Sequence, residues 1–290
     1  MKKVIAIGEA LIDFIPHEKG RALNDVENFL RVPGGAPLNV AAAVAKLGGK
    51  SQMLTKLGQD GFGDAILNEV KPLGVDVSRI SRTKEANTAL AFVSLREYGE
   101  RDFSFYRNPS ADMLLSAEEI CSEDFNERDI LHFCSVSLID APIKEAHRRA
   151  IEIAKEKGCL ISFDPNVRLP LWKQPEDCRK AILEFLPLSN IVKISDEELE
   201  FITKERVIFS PSFKVSAQDT TGAGDSFIGS LLYQVAEGEY SLEQLVDLSE
   251  EKVQEILTFS NATAALTVCK KGAIGALPLK EEVLAKISER

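Results

Sequence analysis

Short apolar runs alternate with amphipathic stretches along most of this chain. Compact, β-rich runs of the length of a buried strand occupy residues 3–7, 129–134, 160–163 and 191–194. Between them, residues 144–157 and about 176–186 carry apolar side chains at helical spacing, and Gly158 ends the first of these helices. This alternation of strand and helix predicts an α/β fold, with a mostly parallel sheet covered by helices on both faces.

Two stretches depart from this rhythm, residues 14–32 and 86–107. The second contains two strand-like runs, 88–95 and 102–106, joined by a turn at 98–100, which predicts a β-hairpin. The hairpin is either part of the main sheet or a lid over a site, because both stretches flank the glycine motifs described below. No internal repeat or low-complexity linker divides the chain, so residues 1–290 are expected to form one domain.

The charge and the cysteines narrow the function classes. The formal net charge of −10 argues against binding to nucleic acid or to an anionic membrane, since both require a basic surface. No run approaches the roughly 18 apolar residues that span a bilayer, and the N-terminus lacks a secretory pattern, so a cytoplasmic location is expected. The five cysteines form no C-x-x-C pair and the chain has three histidines, which predicts reduced thiols and no zinc site.

The stretch 219–225, Asp-Thr-Thr-Gly-Ala-Gly-Asp, carries the strongest chemical signal. Strand-like runs at 206–209 and 213–215 precede it, and apolar residues at 227, 231 and 235 share one helical face after it. Gly222 and Gly224 therefore lie where a helix begins, and unpaired N–H groups there form an anion site. Asp225 falls in the first turn, beside any bound phosphoryl group. The alternative is a glycine-rich turn whose aspartate only offsets the helix dipole.

A second glycine-containing stretch, residues 33–41, leads into another predicted helix. Pro37 suits the first turn of that helix and Gly48 suits its end. Gly34 and Gly35 let the backbone approach a ligand, so that a β-branched side chain at Gly35 is expected to project towards it. Asn39 either binds a ligand hydroxyl or bonds only its own backbone. Counted residue by residue, the chain contains no Walker A loop, dinucleotide fingerprint or protein-kinase signature.

Taken together, these motifs resemble a known family. Gly-Gly-Ala-Pro-Leu-Asn-Val-Ala at 34–41 and Asp-Thr-Thr-Gly-Ala-Gly-Asp at 219–225 are similar to the two signatures of the ribokinase-like (PfkB) carbohydrate kinases, and residues 58–63 and 74–78 match in order and spacing. Residues 164–172 and 193–198 most resemble the fructokinase branch. The resemblance implies a three-layer α/β/α sandwich with a small β-sheet lid, and an ATP-dependent sugar kinase.

The resemblance also implies roles for individual residues. Asp225 resembles the base that takes the proton from the sugar hydroxyl, and Gly222, Ala223 and Gly224 the N–H donors that face the transferring phosphoryl group. The implied sugar-binding residues are Asp13, Gly34, Gly35, Asn39, Tyr106, Arg107, Asn166 and Arg168. Those implied at the ATP site, beside the two glycines, are Lys193, Ser195, Thr220, Asn261 and Ala265.

Metal ions and partners follow from the same resemblance. Glu198 falls on the family's N-x-x-E motif, whose glutamate organises Mg²⁺ through water, and Ser195 replaces its asparagine. Asp219 and Thr221 resemble a loop that binds a monovalent cation such as K⁺. The expected ligands are a small sugar and a nucleotide. Homodimers paired through the lid are common in the family, so such a dimer is an expectation here.

One departure from the family concerns the nucleotide side. The family places a strand, a helix and a glycine-containing strand between the N-x-x-E region and the catalytic glycines, about 30 residues in all. Here residues 201–205 run directly into 206–209. Either the sequence as written omits a segment or the chain carries a true deletion. We favour an omission, because a deletion removes a strand beside the active site.

The favoured acceptor is fructose, giving fructose 6-phosphate. Within the same class the alternative is a 2-keto-3-deoxygluconate kinase, which the pair Tyr106 and Arg107 resembles, and ribokinase or adenosine kinase activity is less favoured. An alternative of another class is a non-catalytic sugar or nucleotide sensor on the same fold. The glycines around Asp225 argue against the sensor, and the gap after Glu205 argues for it.

Overall fold

A computed structural model of the chain describes residues 2–18, 20–95, 101–195, 198, 201, 213 and 215–289. Its strands are β1 (Lys3–Ile7), β2 (Leu11–Pro16), β3 (Phe29–Gly34), β4 (Lys50–Gly58), β5 (Val75–Asp76), β6 (Ile80–Thr83), β7 (Ala89–Leu95), β8 (Arg101–Tyr106), β9 (Ile130–Cys134), β10 (Leu160–Asp164) and β11 (Ile191–Val192). Its α-helices are α1 (Ala36–Lys46), α2 (Gly61–Val70), α3 (Pro142–Glu156), α4 (Pro175–Phe185), α5 (Ala223–Glu237), α6 (Leu242–Val246), α7 (Glu250–Thr267) and α8 (Lys280–Ser288).

The central sheet is parallel throughout the described residues. Its strand order is β11-β10-β9-β1-β4-β5, and β6 pairs with β4. Every pair along this order runs in the same direction. The predicted parallel sheet is therefore confirmed. The predicted strand at 206–209 lies outside the described residues, and Phe213 and Val215, from the predicted strand at 213–215, lie outside any strand.

Helices cover both faces of this sheet because successive side chains of its strands point to opposite sides. Val4, Ile130 and Leu160 pack with apolar residues of α1, α5, α7 and α8. Their chain neighbours, including Ile5 and Leu131, pack with α3 and α4 on the other side. The result is the expected three-layer α/β/α sandwich.

A second, four-stranded sheet has the order β3-β2-β7-β8. Strands β7 and β8 pair antiparallel, so the predicted hairpin is confirmed, while its turn at 98–100 lies outside the described residues. An aromatic row crosses one face of this sheet, and within it the rings of Phe14 and Phe92 stack at 4.6 Å between centroids. That this sheet works as a lid stays a prediction.

Helices α1 and α5 lie very close together. A Cβ added at Gly229 of α5 would stand 2.7 Å from the Cβ of Ala43 and 3.2 Å from the carbonyl oxygen of Val40, both on α1. The absence of a side chain at Gly229 therefore sets the spacing of the two helices.

None of the helices in the described residues is both long and apolar enough to cross a membrane.

Candidate active site

A cleft of about 590 Å³ opens where the carboxyl ends of β1 and β10 meet the first turns of α1 and α5. In parallel α/β sheets this edge is the usual place for a ligand. Most of the site residues expected from the sequence line this one cleft, namely Asp13, Gly35, Asn39, Asn166, Arg168, Lys193, Ser195, Glu198, Thr220, Thr221, Gly222, Ala223, Gly224 and Asp225.

Asp225 is a buried carboxylate held by two amides. The side-chain nitrogen of Asn39 donates to its Oδ2 at 2.9 Å, and that of Asn166 donates to its Oδ1 at 3.2 Å. Burial raises the pKa of Asp225, and it outweighs the opposing effects of the Asn39 bond and of the charges of Arg168 and Lys193. A carboxylate with a raised pKa, in the first turn of α5, is suited to accept a proton.

The turn at 222–224 presents backbone to the cleft. Gly222 caps α5 with φ of 75°, a left-handed conformation that glycine adopts at no steric cost. A Cβ added at Gly224 would meet little else than the Lys193 side chain, whose Nζ would lie 3.1 Å away. The first N–H groups of a helix have no intrahelical partner, so this open turn beside an ammonium group is suited to bind phosphate.

Lys193 is surrounded by carboxylates. Its Nζ lies 3.3 Å from Oδ1 of Asp164 and 3.9 Å from Oε2 of Glu198. Burial lowers the pKa of Lys193, but the charges of Asp164, Glu198 and Asp225 outweigh it and the pKa is raised. Burial raises the pKa of Glu198, but the charge of Lys193 and the hydrogen bonds from the N–H groups of Ser195 and Val167 outweigh it. The pKa of Glu198 is therefore lowered. Both groups are therefore charged at neutral pH.

Asp164, at the end of β10, is buried with one oxygen unused. Its Oδ1 accepts from Lys193 and from the N–H of Asn166, and its Oδ2 has no hydrogen-bond partner. Burial raises the pKa of Asp164 to about 6. Within the described residues no three acidic, histidine or cysteine side chains form a metal cage. These carboxylates fit a Mg²⁺ ion held by waters and phosphates, which is the usual way for this ion.

The other end of the cleft holds Asp13 and the Gly34–Gly35 turn. Gly34 does not itself line the cleft and lies against the carboxylate of Asp13, whereas Gly35 lines the cleft and has φ of 104°. A Cβ at Gly35 would stand 2.5 Å from the carbonyl oxygen of Glu9. The expectation for Gly35 therefore needs correction, because a side chain there would meet the protein's own backbone before any ligand.

Tyr106 and Arg107 do not join this group. Tyr106 is 63% exposed and lies outside the cleft lining. Arg107 is buried and its guanidinium donates twice to Oδ2 of Asp112, from Nε at 2.9 Å and from Nη2 at 2.5 Å. The arginine lines a separate cleft of about 760 Å³. Leu171 and Phe105 line both clefts and lie between them.

Three of the expected nucleotide and cation residues also lie outside the cleft lining. Asn261 and Ala265 are on α7. Asp219 is buried, and its carboxylate accepts from the N–H and hydroxyl of Thr221 and from the N–H of Gly272. These bonds fix the loop that leads into the glycine turn.

Sequence reasoning did not single out two buried carboxylates of this region, Glu9 and Asp164. Glu9 lies two residues after the end of β1, and Asp164 ends β10, both at the edge of the parallel sheet where ligands usually bind. That position was the signal available in the sequence. Glu9 lines the cleft and accepts from the N–H of Ala36 at 3.1 Å.

Comparisons with known proteins identify the family of this chain. The profile of the pfkB family carbohydrate kinases matches residues 1–207 and 201–280. Probable fructokinase-2 of Arabidopsis thaliana is 43% identical over 97% of this chain and 94% of its own length. A fructokinase from Xylella fastidiosa with bound ATP superposes with a TM-score of 0.89 at 36% identity, covering 99% of this chain and 98% of that one. A Vibrio cholerae fructokinase with fructose, ADP and calcium ion superposes with a TM-score of 0.87 at 30% identity, covering 99% of both chains.

The same comparisons bear on the gap after Glu205. The alignment with the Arabidopsis relative extends over 316 positions, 26 more than the 290 residues of this chain, so the relative has at least 26 residues without a counterpart here. The family profile matches in two pieces that overlap at residues 201–207.

Because the family profile and the relatives named above match most of its length, the chain belongs to the pfkB family of carbohydrate kinases.

Proposed function

We propose that this protein transfers the γ-phosphoryl group of ATP to the 6-hydroxyl of fructose, giving fructose 6-phosphate and ADP. The observation that carries the proposal is the buried Asp225 carboxylate, held by Asn39 and Asn166 beside the open glycine turn at 222–224. A proton acceptor and an anion site thus lie in one cleft. This pairing, together with relatives named fructokinase, supports phosphoryl transfer over the sensing of a sugar or nucleotide.

In the reaction the carboxylate of Asp225 accepts the proton of the sugar hydroxyl. The hydroxyl oxygen forms a bond to the γ-phosphorus while the bond between that phosphorus and the bridging oxygen of ADP breaks. Asn39 and Asn166 fix the orientation of the carboxylate, because each amide nitrogen donates to a different oxygen of it. Accurate positioning of this kind is most of what phosphoryl transfer requires from a protein.

The glycine turn and Lys193 stabilise the charge of the transferring group. The N–H groups of Gly222 and Gly224 would face the phosphoryl oxygens, whereas the N–H of Ala223 already donates to the carbonyl oxygen of Thr220. The Lys193 ammonium lies over Gly224. Ser195 and Thr220 line the same wall of the cleft. Asn261 and Ala265 lie on α7 outside that lining, and this helix would flank the adenine. Glu198 and Asp164 would hold Mg²⁺ through water, and the ion would shield the charge between the phosphates.

The charges at the sugar end favour a neutral sugar. Glu9, Asp13 and Asp225 line this part of the cleft, and all three carry carboxylates. Arg107, which a keto-deoxy acid would need for its own carboxylate, is committed to Asp112. Arg168 is the arginine that remains in the cleft, and its charge also acts on Asp225. A substrate carboxylate would therefore meet net repulsion, which supports fructose over 2-keto-3-deoxygluconate.

Further features belong to the same proposal. The enzyme would act in the cytoplasm with Mg²⁺, and with a monovalent cation such as K⁺ near Asp219 and Thr221. Related V. cholerae fructokinase structures contain a calcium or a potassium ion. A homodimer would pair through the second sheet, residues 14–32 and 86–107, where Tyr106 and Leu30 are exposed.

A coupled assay of ADP release tests the proposal. With MgATP, kcat/KM for fructose should exceed that for ribose, adenosine and 2-keto-3-deoxygluconate, because a site built to bond one set of hydroxyls rejects analogues by as much as ~10⁴-fold. The Asp225→Asn variant serves as the blank. Preference for the keto-deoxy acid would overturn the fructose assignment, and no turnover of any acceptor would favour a sensor.

A further inference from the structure

Glu9 is a buried carboxylate that the proposed reaction does not use. It lies two residues after the end of β1 and is 2% exposed. Its Oε1 accepts from the N–H of Ala36, the first residue of α1, and its Oε2 accepts from the hydroxyl of Ser137 at 2.7 Å. Each oxygen of the carboxylate thus holds a different segment, one at the Gly34–Gly35 turn and one after β9.

Ser137 connects this carboxylate to the second sheet. Arg107 follows the last residue of β8. Its Nη2 lies 3.4 Å from the hydroxyl of Ser137, and its Nη1 donates to the carbonyl of Val136 at 3.1 Å. The side chains of Arg107 and Asp112 are 2% and 0% exposed. A continuous buried chain of polar groups therefore runs from the second sheet through Arg107, Ser137 and Glu9 to the start of α1.

The carboxylate is not needed to neutralise Arg107. Asp112 already makes two hydrogen bonds to that guanidinium. Burial raises the pKa of Glu9, and it outweighs the opposing effects of the Arg107 charge and of the bond from Ser137. A buried charge in excess is costly, and a neutral side chain of the same length would avoid the cost. A function that requires strong acceptors at both oxygens accounts for its presence, since bonds to a charged acceptor are about twice as strong as neutral ones.

We propose that Glu9 is a positioning residue that holds the Gly34–Gly35 turn and the first turn of α1 in register with strand β8. The proposal rests on the proposed function, because the sugar is taken to bind at this turn. Asn39 stands one turn further along α1 and donates to Asp225, so a displacement of the helix start reaches the base as well. Glu9 acts on sugar binding through the backbone it fixes, without taking part in proton transfer.

The Glu9→Gln variant separates this role from general structural support. Glutamine keeps the length but has one neutral acceptor, and its amide group can no longer accept from Ser137. We expect KM for fructose to rise about 10-fold, the equivalent of one charge-assisted hydrogen bond, while KM for ATP stays within about twofold. A residue that only supported the fold would affect both substrates equally.

Ser137→Ala provides a second variant that leaves the carboxylate in place. It removes the link between Glu9 and Arg107, and we expect a smaller rise, about threefold, in KM for fructose. Because Ser137 acts through Glu9, the double variant should bind fructose no more weakly than Glu9→Gln alone. Ser230→Ala is the matched control, since its hydroxyl is equally buried and donates to the carbonyl of Phe227, outside the cleft.

Hydrogen exchange gives a readout that does not depend on turnover. In Glu9→Gln the amides of residues 35, 36 and 38–40 should exchange about fivefold faster or more, and those of residues 228–236 should not change. KM values for fructose within twofold of wild type, or unchanged exchange at 35–40, would overturn the role of Glu9. A wild-type protein that phosphorylates no fructose would instead overturn the proposed function, and the exchange experiment would still decide on Glu9.

Discussion

The two glycine pairs that border the cleft differ at one position, Gly224. At the first pair, the space beside Gly34 and Gly35 is filled by the protein itself, by the Asp13 carboxylate and the backbone of Glu9. At the second pair, a Cβ at Gly222 would likewise stand 2.7 Å from the Cβ of Ala273, but the space beside Gly224 contains little more than the flexible end of Lys193. The first three glycines are required so that the protein can pack, and Gly224 leaves room for something else to approach.

This difference shows that a glycine motif in a sequence has two distinct meanings. In the first pair glycine serves internal packing, and the proposed function assigns sugar binding to the side chains that this packing positions. In the second pair the backbone at Gly224 is open to the cleft, which suits the proposed binding of phosphate by N–H groups. Asp225 lies between the two, since α5 carries it and Asn39 of α1 holds it.

Removal of the Asp225 charge, which lies between the two glycine pairs, should have the largest effect on activity. In Asp225→Asn we expect kcat to fall at least ~10²-fold, because the general base is lost, while KM for fructose changes little. Initial rates over a range of fructose and ATP concentrations measure both constants. Wild-type turnover in this variant would exclude Asp225 from proton transfer, and a parallel loss of thermal stability would point to misfolding.

Alanine at each glycine pair should then separate packing from binding. Gly35→Ala should lower the free energy of unfolding by ~2 kcal/mol, because a side chain at φ of 104° is strained and meets Glu9. Gly224→Ala should leave the stability within ~1 kcal/mol of wild type and raise KM for ATP about 10-fold, because its methyl group enters the space open to phosphate.

Urea unfolding and initial rates measure the two effects on the same protein samples. The comparison between the pairs fails if Gly224→Ala is the less stable of the two variants. It also fails if Gly35→Ala weakens ATP binding without a loss of stability.

A smaller effect is expected from the pH dependence of stability at Asp164. Burial raises its pKa from the ordinary value of 3.8 to about 6, so between these pH values the folded state binds the proton more tightly than the unfolded state. The free energy of unfolding therefore falls as pH rises through this window, and above about pH 6 it falls no further on account of Asp164. Asp164→Asn, which cannot ionise, should be more stable than wild type above pH 6 by at most about 3 kcal/mol, because a weaker bond to Lys193 offsets part of the gain.

Unfolding curves of both proteins from pH 4 to pH 8 provide the measurement. The difference between them should shrink towards pH 4, where wild-type Asp164 is protonated. A difference that does not vary with pH would mean that Asp164 is ionised throughout this range.

The sequence was informative about elements and about contiguous motifs. Strand β1, helix α3 and the helix that starts after Gly222 follow from apolar spacing and from glycine at helix ends, which are local properties. The placement of Arg107 could not be obtained this way. Its partner Asp112 lies five residues along the chain, and only the packing of β8 against Val136 and Ser137 decides that the guanidinium turns inward. Glu9 was overlooked because its partners lie 27 and 128 residues away.

The close approach of α1 and α5 at Gly229 has a consequence for how the site can vary. Asn39 and Asp225 lie on separate helices, and the 2.9 Å bond between them requires that the two axes be as near as a missing side chain permits. The contact that fixes this distance lies about one helical turn past the site along each helix, at Ala43 and Gly229. The distance between Asn39 and Asp225 is thus set from outside the cleft, by Ala43 and Gly229, which do not line it. Alterations that tune the enzyme's rate can therefore arise in its interior while every residue around the sugar stays the same.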